Sequence, residues 1–223
     1  MRKIETVLFD LDGTLLDTAP DLTFALNKVR QQHQLPALPV SAVRPHIGYG
    51  AKAILKAGLN MEDTHPDYPA CLENFLAFYQ TCSSQLTQPF PEIEKVLSYL
   101  EYQQIPWGIV TNKQARFVHD ILQATKLDQR AACVICGDSL SKRKPDPDQI
   151  LHALALLKRK AKTCLYVGDT EIDVIASKAA GTRCLVALYG YIGEEEKPED
   201  WQADGYIQKP IEIIDWLCEK KTA

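Results

Sequence analysis

The feature that most constrains the fold is a repeated alternation between short apolar, β-favouring runs and stretches with helical spacing of apolar residues. The runs lie at residues 6–9, 105–110, 133–136, 164–167 and 184–187. An uninterrupted apolar run is typical of a strand that is buried on both faces, and strands that alternate with helices build a mostly parallel sheet. The sequence therefore predicts an α/β fold, with a Rossmann-like, mostly parallel sheet and helices on both faces.

Helices are predicted between several of these runs. One begins near residue 91, because four apolar side chains after it fall on a single helical face, namely Ile93, Val96, Leu97 and Leu100. A second helix continues through residues 150–157, and Gly181 is a predicted helix C-terminus.

One long interval breaks the alternation. No strand pattern occurs from about residue 18 to residue 88, although a parallel crossover needs only about a dozen residues. This interval instead predicts helices at 20–33, 50–57 and 66–85. We therefore predict a catalytic core of residues 1–17 and 88–223, and an inserted all-helical cap domain of residues 18–87 that covers the mouth of the sheet.

Composition excludes several classes of function. The chain has 223 residues, of which 46% are hydrophobic and 24% are charged, as in ordinary globular proteins. Its net charge of −4 argues against a nucleic-acid partner, and no apolar run reaches the roughly 20 residues that a bilayer requires. Most of the seven cysteines lie in apolar segments. We expect no secretory leader, no membrane partner and a reducing cytoplasmic location, with the oligomeric state left open.

The pair Cys133 and Cys136 has the spacing of a zinc or redox motif. A zinc site needs four ligands, and neither a second pair of cysteines nor a nearby pair of histidines completes the set. We interpret both residues as buried thiols.

Polar side chains follow the predicted strands at the points where the strands end. In an open parallel sheet, ligands bind beyond the carboxyl ends of the strands. The side chains at these ends are Asp10, Asp12, Thr111, Asn112, Lys144, Asp169 and Asp173. We therefore expect acids, a hydroxyl group and a lysine to converge at one edge of the sheet.

The four aspartates of this set require a counter-charge, because neighbouring carboxylates resist joint ionisation. Oxygen ligands without histidine or thiol favour Mg²⁺, which commonly keeps substrate phosphate among its ligands. Asp10 and Asp12 lie two residues apart on extended chain and point to the same side. One of them can therefore attack phosphorus while the other handles the proton of the leaving group.

These residues carry a resemblance to a known family. In order along the chain, Asp10-x-Asp12-Gly13-Thr14, Thr111-Asn112, Lys144-Pro145 and Gly168-Asp169-x-x-x-Asp173 resemble the four motifs of the haloacid dehalogenase-like phosphatases. The resemblance spans nearly the whole chain, and the insertion lies where that family places a helical cap.

The resemblance implies a role for each acid. Asp10 would be the nucleophile that forms a phospho-aspartyl intermediate, and Asp12 would be the general acid and then the general base. The Mg²⁺ ligands would be Asp10, the backbone carbonyl of Asp12, and Asp169. Asp173 would orient Lys144 or bind a metal-bound water.

The resemblance also assigns the residues around the phosphate. Thr111 and Lys144 would hold the phosphoryl oxygens as part of the catalytic set. The remaining motif residues are expected to be substrate-binding, namely Gly13, Thr14 and Asn112, with Asn112 also supporting the loop. The expected substrate is a small phosphate ester.

Other classes of function fit the residues less well. Residues 48–53 contain a G-x-G-x-x-A pattern, as in nicotinamide-dependent oxidoreductases, but that fingerprint needs a preceding strand and Pro45 argues against one. A response-regulator receiver also gathers acids, threonine and lysine at strand ends, but it has no room for the insertion. A dehalogenase would lack the second acid of the first motif, which in this chain is Asp12. A sugar phosphomutase remains an alternative, although Thr14 favours hydrolysis.

Substrate choice is expected to come from the cap. Cations lie around its glycine-rich turn, and Arg44 and Lys52 are the candidates to meet a substrate carboxylate. The overall layout resembles phosphoglycolate phosphatases. The segments 18–21, 50–53, 107–113, 189–192 and 201–204 also resemble N-acetylmuramic acid 6-phosphate phosphatases. Both substrates bear a carboxylate, so the sequence leaves both open.

Overall fold

The structure is a computed structural model and describes residues 3–217. Its strands are β1 (Thr6–Phe9), β2 (Leu16–Asp17), β3 (Gln88–Pro89), β4 (Trp107–Val110), β5 (Val134–Ile135), β6 (Cys164–Gly168), β7 (Arg183–Ala187) and β8 (Gly205–Ile207). Six of these strands form one sheet in the order β5-β4-β1-β6-β7-β8, and every neighbouring pair is parallel. Strand β1 therefore lies inside the sheet.

Helices connect these strands. They are α1 (Ala19–Gln32), α2 (Val40–Val43), α3 (Gly50–Leu59), α4 (Tyr68–Cys82), α5 (Ile93–Tyr102), α6 (Ala115–Thr125), α7 (Asp148–Leu157), α8 (Glu171–Ala180) and α9 (Ile213–Leu217). Four short 3₁₀ segments accompany them, at Arg44–Tyr49, Ala161–Thr163, Pro198–Trp201 and Pro210–Glu212. In the described chain, no helix combines the length and the apolar character needed to cross a membrane.

Both faces of the sheet are covered, which explains the uninterrupted apolar runs. Val7 and Phe9 of β1 belong to the same buried cluster as the inward side chains of α5 and α6, whereas Leu8 belongs to a second cluster with residues of α7 and α8. Every residue of β1 is buried. The predicted α/β class, with a mostly parallel sheet and helices on both faces, is confirmed.

A two-stranded antiparallel ribbon stands where the chain leaves the core and returns. Leu16 of β2 pairs with Pro89 of β3, and Asp17 pairs with Gln88. The buried carboxylate of Asp21 accepts hydrogen bonds from the Thr87 backbone N–H at 2.9 Å and from the Thr87 hydroxyl at 2.8 Å. Helices α1 to α4 lie between these points, so the insertion is helical as expected. The boundaries at residues 18 and 87 stay a prediction.

The structure adds elements that the sequence did not indicate. They include the ribbon strands β2 and β3, the edge strand β8 and the short helices α2 and α9. Strands of two or three residues are too short to show a period. The segment before Gly48 is a 3₁₀ helix with Pro45 in its first turn, and so lacks the strand that a dinucleotide fingerprint requires.

Candidate active site

The candidate site lies at the carboxyl edge of the sheet. Asp10 directly follows β1, Thr111 follows β4 and Asp169 follows β6. The parallel register pairs Phe9 with Ile109 and with Val167, so these three strands end side by side. Polar residues far apart in the sequence therefore meet at one place.

Asp10 is held by two donors. Its Oδ1 accepts a hydrogen bond from the Leu11 backbone N–H at 2.7 Å and lies 2.9 Å from Lys144 Nζ. Burial raises the pKa of Asp10 to about 7, with Lys144 opposing this shift and the charge of Asp173 adding to it. A further cation at this carboxylate would favour the ionised form that a nucleophile needs.

Lys144 is the buried cation of the site. Its Nζ lies 2.7 Å from Asp173 Oδ1, 2.9 Å from the Tyr166 hydroxyl and 3.0 Å from the Val110 carbonyl oxygen, in addition to its contact with Asp10. Burial alone would lower the pKa of Lys144, but the two aspartates outweigh it and raise the pKa above its usual value. Lys144 is therefore a permanent ammonium group at neutral pH.

Asp173 is fully engaged by protein donors. Its Oδ1 accepts from Lys144 and from the Tyr166 hydroxyl at 2.9 Å, and its Oδ2 accepts from the Thr170 backbone N–H at 3.1 Å and the Thr170 hydroxyl at 2.6 Å. The Thr170 contacts form a capping box at the start of α8. The helix terminus thus fixes Asp173, and Asp173 fixes Lys144.

Asp169 is buried between two backbone segments. Its Oδ1 accepts from the Thr14 hydroxyl at 2.8 Å, and its Oδ2 accepts from the Tyr191 backbone N–H at 2.9 Å. Burial raises the pKa of Asp169 well above its usual range, and the charges of Asp10 and Asp173 raise it further.

Glycines make room for these acids. Gly13 has a φ of +81°, and a Cβ built there would lie 2.1 Å from Asp169 Oδ2. A Cβ at Gly190 would lie 2.4 Å from the Cβ of Asp169, and one at Gly168 would lie 2.4 Å from the Cγ of Asp173. A side chain at any of the three positions would displace a carboxylate of the site.

Asp12 faces the cap side of the site. Its Oδ1 accepts a hydrogen bond from the Thr18 hydroxyl at 2.5 Å and lies 2.8 Å from Lys113 Nζ. The Lys113 ammonium group lies 4.7 Å from the ring centroid of Tyr79, a residue of α4. The second aspartate of the motif therefore contacts both the chain leading into the cap and, through Lys113, a cap helix.

The loops that carry Thr111 and Lys144 are tied together. Asn112 Nδ2 donates to the Lys144 carbonyl oxygen at 2.8 Å, and Gln149 Nε2 donates to the Thr111 carbonyl oxygen at 3.1 Å. The Lys144 backbone N–H donates to Gln149 Oε1 at 3.0 Å. The hydroxyl of Thr111 accepts from the Lys113 backbone N–H at 3.1 Å. Asn112 therefore joins the loop after β4 to the loop that carries Lys144.

The acidic cluster suits a hard divalent cation. Asp10, Asp169 and Asp173 each offer a carboxylate oxygen, and these atoms lie within 4.8 Å of one another. With Asp12, four carboxylates face the two ammonium groups of Lys113 and Lys144. The donor set consists of oxygen atoms, as Mg²⁺ prefers. Within residues 3–217, Asp173 accepts from four protein donors, whereas Asp10 and Asp169 have two donors each, so Asp10 and Asp169 keep more of their capacity to bind the ion.

The two cap cations have different surroundings. Arg44 Nη2 lies 2.7 Å from Asp17 Oδ2, and its guanidinium group lies 5.3 Å from the ring centroid of Tyr191. Lys52 pairs with Asp63 and is more than half exposed. The structure therefore brings Arg44 to the junction of cap and core, whereas the partner of Lys52 belongs to the cap itself.

Several contacts were not anticipated from the sequence. The ion pair of Lys113 with Asp12 is one, and the Tyr166 hydroxyl between Lys144 and Asp173 is another. Tyr191 is the third, because its backbone N–H binds Asp169 and its hydroxyl donates to Asp17 Oδ1 at 2.9 Å. Lys113 directly follows the Thr-Asn pair at a strand end, and that position was the available signal.

Comparison with known proteins supports one family. The family model described as haloacid dehalogenase-like hydrolase matches residues 7–187. The N-acetylmuramic acid 6-phosphate phosphatase of Pseudomonas aeruginosa is 35% identical over 215 residues, which cover 96% of this chain and 95% of that protein. The phosphoglycolate phosphatase of Xanthomonas campestris is 37% identical over 213 residues, which cover 96% of each protein.

The fold has close counterparts among solved structures. A crystal structure described as a predicted phosphoglycolate phosphatase from Haemophilus somnus superposes with a TM-score of 0.85 at 25% identity, over 97% of this chain and 99% of that one. A Bacteroides fragilis structure described as a haloacid dehalogenase-like hydrolase reaches a TM-score of 0.80 at 22% identity, over 95% and 100% of the two chains. The second likeness concerns the fold alone.

Proposed function

Because the chain belongs to the haloacid dehalogenase-like hydrolase family, we propose that it is a Mg²⁺-dependent phosphatase that hydrolyses a small, carboxylate-bearing phosphate monoester through a phospho-aspartyl intermediate on Asp10. The observation that carries this proposal is the position of Asp10. Its carboxylate lies at the end of central strand β1, against buried Lys144 and beside Asp169. A nucleophile, a fixed cation and metal-binding oxygens thus lie together at one edge of the sheet.

In the first step, a carboxylate oxygen of Asp10 attacks phosphorus and the bond from phosphorus to the ester oxygen breaks. The departing oxygen takes a proton from Asp12, so the alcohol leaves neutral. Lys144 and Thr111 hold the transferring phosphoryl oxygens, and the ammonium group of Lys144 offsets their charge. The acyl phosphate keeps the charge of the phosphoryl group, and the negative charge that the Asp10 carboxylate brought ends on Asp12, which has given up its proton.

In the second step, water attacks phosphorus of the acyl phosphate. Asp12, now ionised, takes a proton from this water, and the bond from phosphorus to the Asp10 oxygen breaks. Inorganic phosphate leaves and Asp10 returns as a carboxylate. Each step needs Asp12 on the side of phosphorus opposite Asp10, which agrees with the contacts of Asp12 toward the cap.

Asp10, Asp169 and the Asp12 backbone carbonyl would hold Mg²⁺. When bound, the ion supplies charge that neutralises the phosphoryl group and aligns it with the nucleophile. The surplus of carboxylates over ammonium groups at the site supports this assignment.

The cap is proposed to choose the substrate. Gly48, in the 3₁₀ segment, approaches the core so closely that an added Cβ would lie 2.6 Å from Thr170 Cγ2. Arg44 in the same segment is the proposed partner of a substrate carboxylate, with Lys52 the more remote candidate. We place the cap at residues 18–87 and expect it to exclude water when it covers the site. We expect the enzyme to act in the cytoplasm.

Two substrates are supported by different relatives. 2-Phosphoglycolate is favoured by the 37% identical relative, and N-acetylmuramic acid 6-phosphate by the 35% identical one. Both contain a carboxylate and an alcohol leaving group. A sugar phosphomutase would instead return the phosphoryl group to a sugar hydroxyl.

The test is a comparison of purified protein on the two esters, with Mg²⁺ and with excess EDTA. Release of inorganic phosphate is expected with Mg²⁺ only, and with kcat/KM at least about tenfold higher for one of the two esters. Asp10→Asn, which keeps the shape of the side chain, should release no phosphate. Full activity in excess EDTA would contradict the requirement for Mg²⁺. Isomerisation of a sugar phosphate without release of phosphate would favour a sugar phosphomutase.

A further inference from the structure

Lys113 occupies an enclosed position between core and cap. It lies three residues beyond the end of strand β4, and its side chain is only 8% exposed. Its ammonium group lies 2.8 Å from Asp12 Oδ1 and 4.7 Å from the ring centroid of Tyr79. One neighbour belongs to the catalytic loop and the other to cap helix α4.

Tyr79 contacts Lys113 through its ring. It is 2% exposed, and its hydroxyl is a buried group with no hydrogen-bond partner within residues 3–217. The ring lies between Phe75, at 6.4 Å and nearly parallel, and Phe117 of α6, at 5.2 Å. This packing fixes the face on which the ammonium group rests, as in a cation–π contact.

The described donors to the Asp12 carboxylate contact the same oxygen atom. Thr18 Oγ1 and Lys113 Nζ both contact Oδ1, and no described hydrogen bond or ion pair within residues 3–217 involves Oδ2. With Oδ1 fixed by two donors, the rotation of the carboxyl group is set and Oδ2 is left for the leaving-group oxygen. A displacement of such a group by about 1 Å costs on the order of 100-fold in rate.

We propose that Lys113 is a positioning residue for Asp12, and that helix α4 holds Lys113 in place through the ring of Tyr79. The inference rests on the proposed function, because it places Lys113 behind the acid–base step of that reaction. A buried ion pair is by itself weak evidence for stability, so a role in orientation explains why this pair lies at the site.

The experiment compares two leaving groups in the first turnover, with enzyme in excess. The esters are p-nitrophenyl phosphate, whose phenolate leaves without a proton, and 2-phosphoglycolate, whose alkoxide needs one. N-acetylmuramic acid 6-phosphate replaces the latter if it is the ester that the wild type hydrolyses. Rapid quenching measures ester cleavage before the second step, so water activation by Asp12 does not enter the measured rate.

Lys113→Met should slow first-turnover cleavage of the alkyl ester about 100-fold, and that of p-nitrophenyl phosphate less than about threefold. Lys113→Arg should restore part of the alkyl rate. In an Asp12→Ala background, Lys113→Met should cause no further loss, because the two residues act as one unit. Lys95→Met, on an exposed side chain paired with Glu92, is the matched control and should change neither rate.

Two variants at Tyr79 test the part played by the cap. Tyr79→Phe keeps the ring and removes the unpartnered hydroxyl, whereas Tyr79→Leu removes the ring face. We expect the leucine variant to cleave the alkyl ester about tenfold more slowly than the phenylalanine variant does. The rates at which the two variants cleave p-nitrophenyl phosphate should differ by less than about threefold. The melting temperature of each variant identifies a loss of fold.

Equal loss with both esters would overturn the proposal and make Lys113 a structural residue. A rise in KM for the carboxylate-bearing ester with an unchanged first-turnover rate would overturn it in favour of a substrate contact. Failure of the proposed function gives a different result, since the wild type itself would then cleave neither ester or would cleave both without Asp10.

Discussion

Replacement of Gly13 by alanine should inactivate the enzyme through Asp169. Gly13 has a φ of +81°, and its added Cβ would lie 2.1 Å from Asp169 Oδ2, whereas ordinary contacts begin near 3.4 Å. The carboxylate must therefore move by about 1 Å. That movement breaks its alignment with the Thr14 hydroxyl, at 2.8 Å, and with the Tyr191 backbone N–H, at 2.9 Å. We expect kcat/KM to fall by about 100-fold.

Gly181→Ala is the matched control for backbone strain. Gly181 has a φ of +76° at the C-terminus of α8, and the nearest atom to an added Cβ is 3.9 Å away. Both substitutions place an L-residue in the left-handed region, which costs about 1–2 kcal/mol. Gly181→Ala should therefore lower the melting temperature and leave kcat/KM within about twofold of the wild type.

The assay is steady-state phosphate release at saturating and limiting Mg²⁺, together with thermal unfolding of both variants. If Asp169 helps to bind the ion, Gly13→Ala should also need more Mg²⁺ for half-maximal activity. The reasoning is refuted if Gly13→Ala loses stability as Gly181→Ala does but keeps wild-type activity.

Three further predictions concern charge. Burial raises the pKa of Asp10 from 3.8 to about 7, so the protonated carboxyl group stabilises the folded state. This contribution is complete below about pH 3.8, decreases as the pH rises toward 7, and is lost above about pH 7. Mg²⁺ should therefore raise the melting temperature more at pH 8 than at pH 5, where the ion must displace a proton and binds on the order of 100-fold more weakly than at pH 8. An equal rise at both pH values would contradict this. Lys144→Met leaves Asp10 and Asp173 buried without their cation. The unfolding free energy measured by urea denaturation should therefore fall by about 3–5 kcal/mol. A loss below about 1 kcal/mol would contradict a buried ion pair between Lys144 and these two aspartates. Arg44→Gln should raise KM for the carboxylate-bearing ester about tenfold or more and leave KM for p-nitrophenyl phosphate unchanged. An equal rise in KM for both esters would show that Arg44 does not recognise the substrate carboxylate.

The order of the main strands and helices of the core along the chain could be predicted, because the sequence patterns that indicate them are local. Each long strand of the sheet is an apolar run, and the helix α5 shows its buried face in the spacing of Ile93, Val96, Leu97 and Leu100. Gly181 adopts the left-handed conformation expected of a helix end. The same pattern predicted that Asp10, Thr111 and Asp169 come together at strand ends, because a parallel sheet places the carboxyl ends of its strands at one edge.

The ribbon and the cap contacts depend on longer-range structure. Strands β2 and β3 have two residues each, and their pairing follows from the place where the insertion begins and ends. The partner of Lys113 is 101 residues away, and only the register of β1 against β4 brings it to Asp12. Neither the ring of Tyr79 nor the hydroxyl of Tyr191 has a sequence signal that links it to the site.

Lys52 and Arg44 both lie near the glycine-rich turn in the sequence, but the fold gives them different surroundings. Lys52 follows Gly50 of that turn by two residues. In the structure it lies on α3 and pairs with Asp63, whereas Arg44 lies against Tyr191 at the junction with the core. The direction of a helix face decides this difference, and that direction depends on how the cap packs.

The most direct test of the central claim is to locate the phosphoryl group during turnover. The enzyme is mixed with substrate and Mg²⁺, quenched in acid within the first turnover, digested and mapped by mass spectrometry. The account predicts the added mass of one phosphoryl group on the peptide that contains Asp10, and its absence in Asp10→Asn. Phosphate release at the wild-type rate with no phosphorylated peptide, or with the group on another residue, would contradict it.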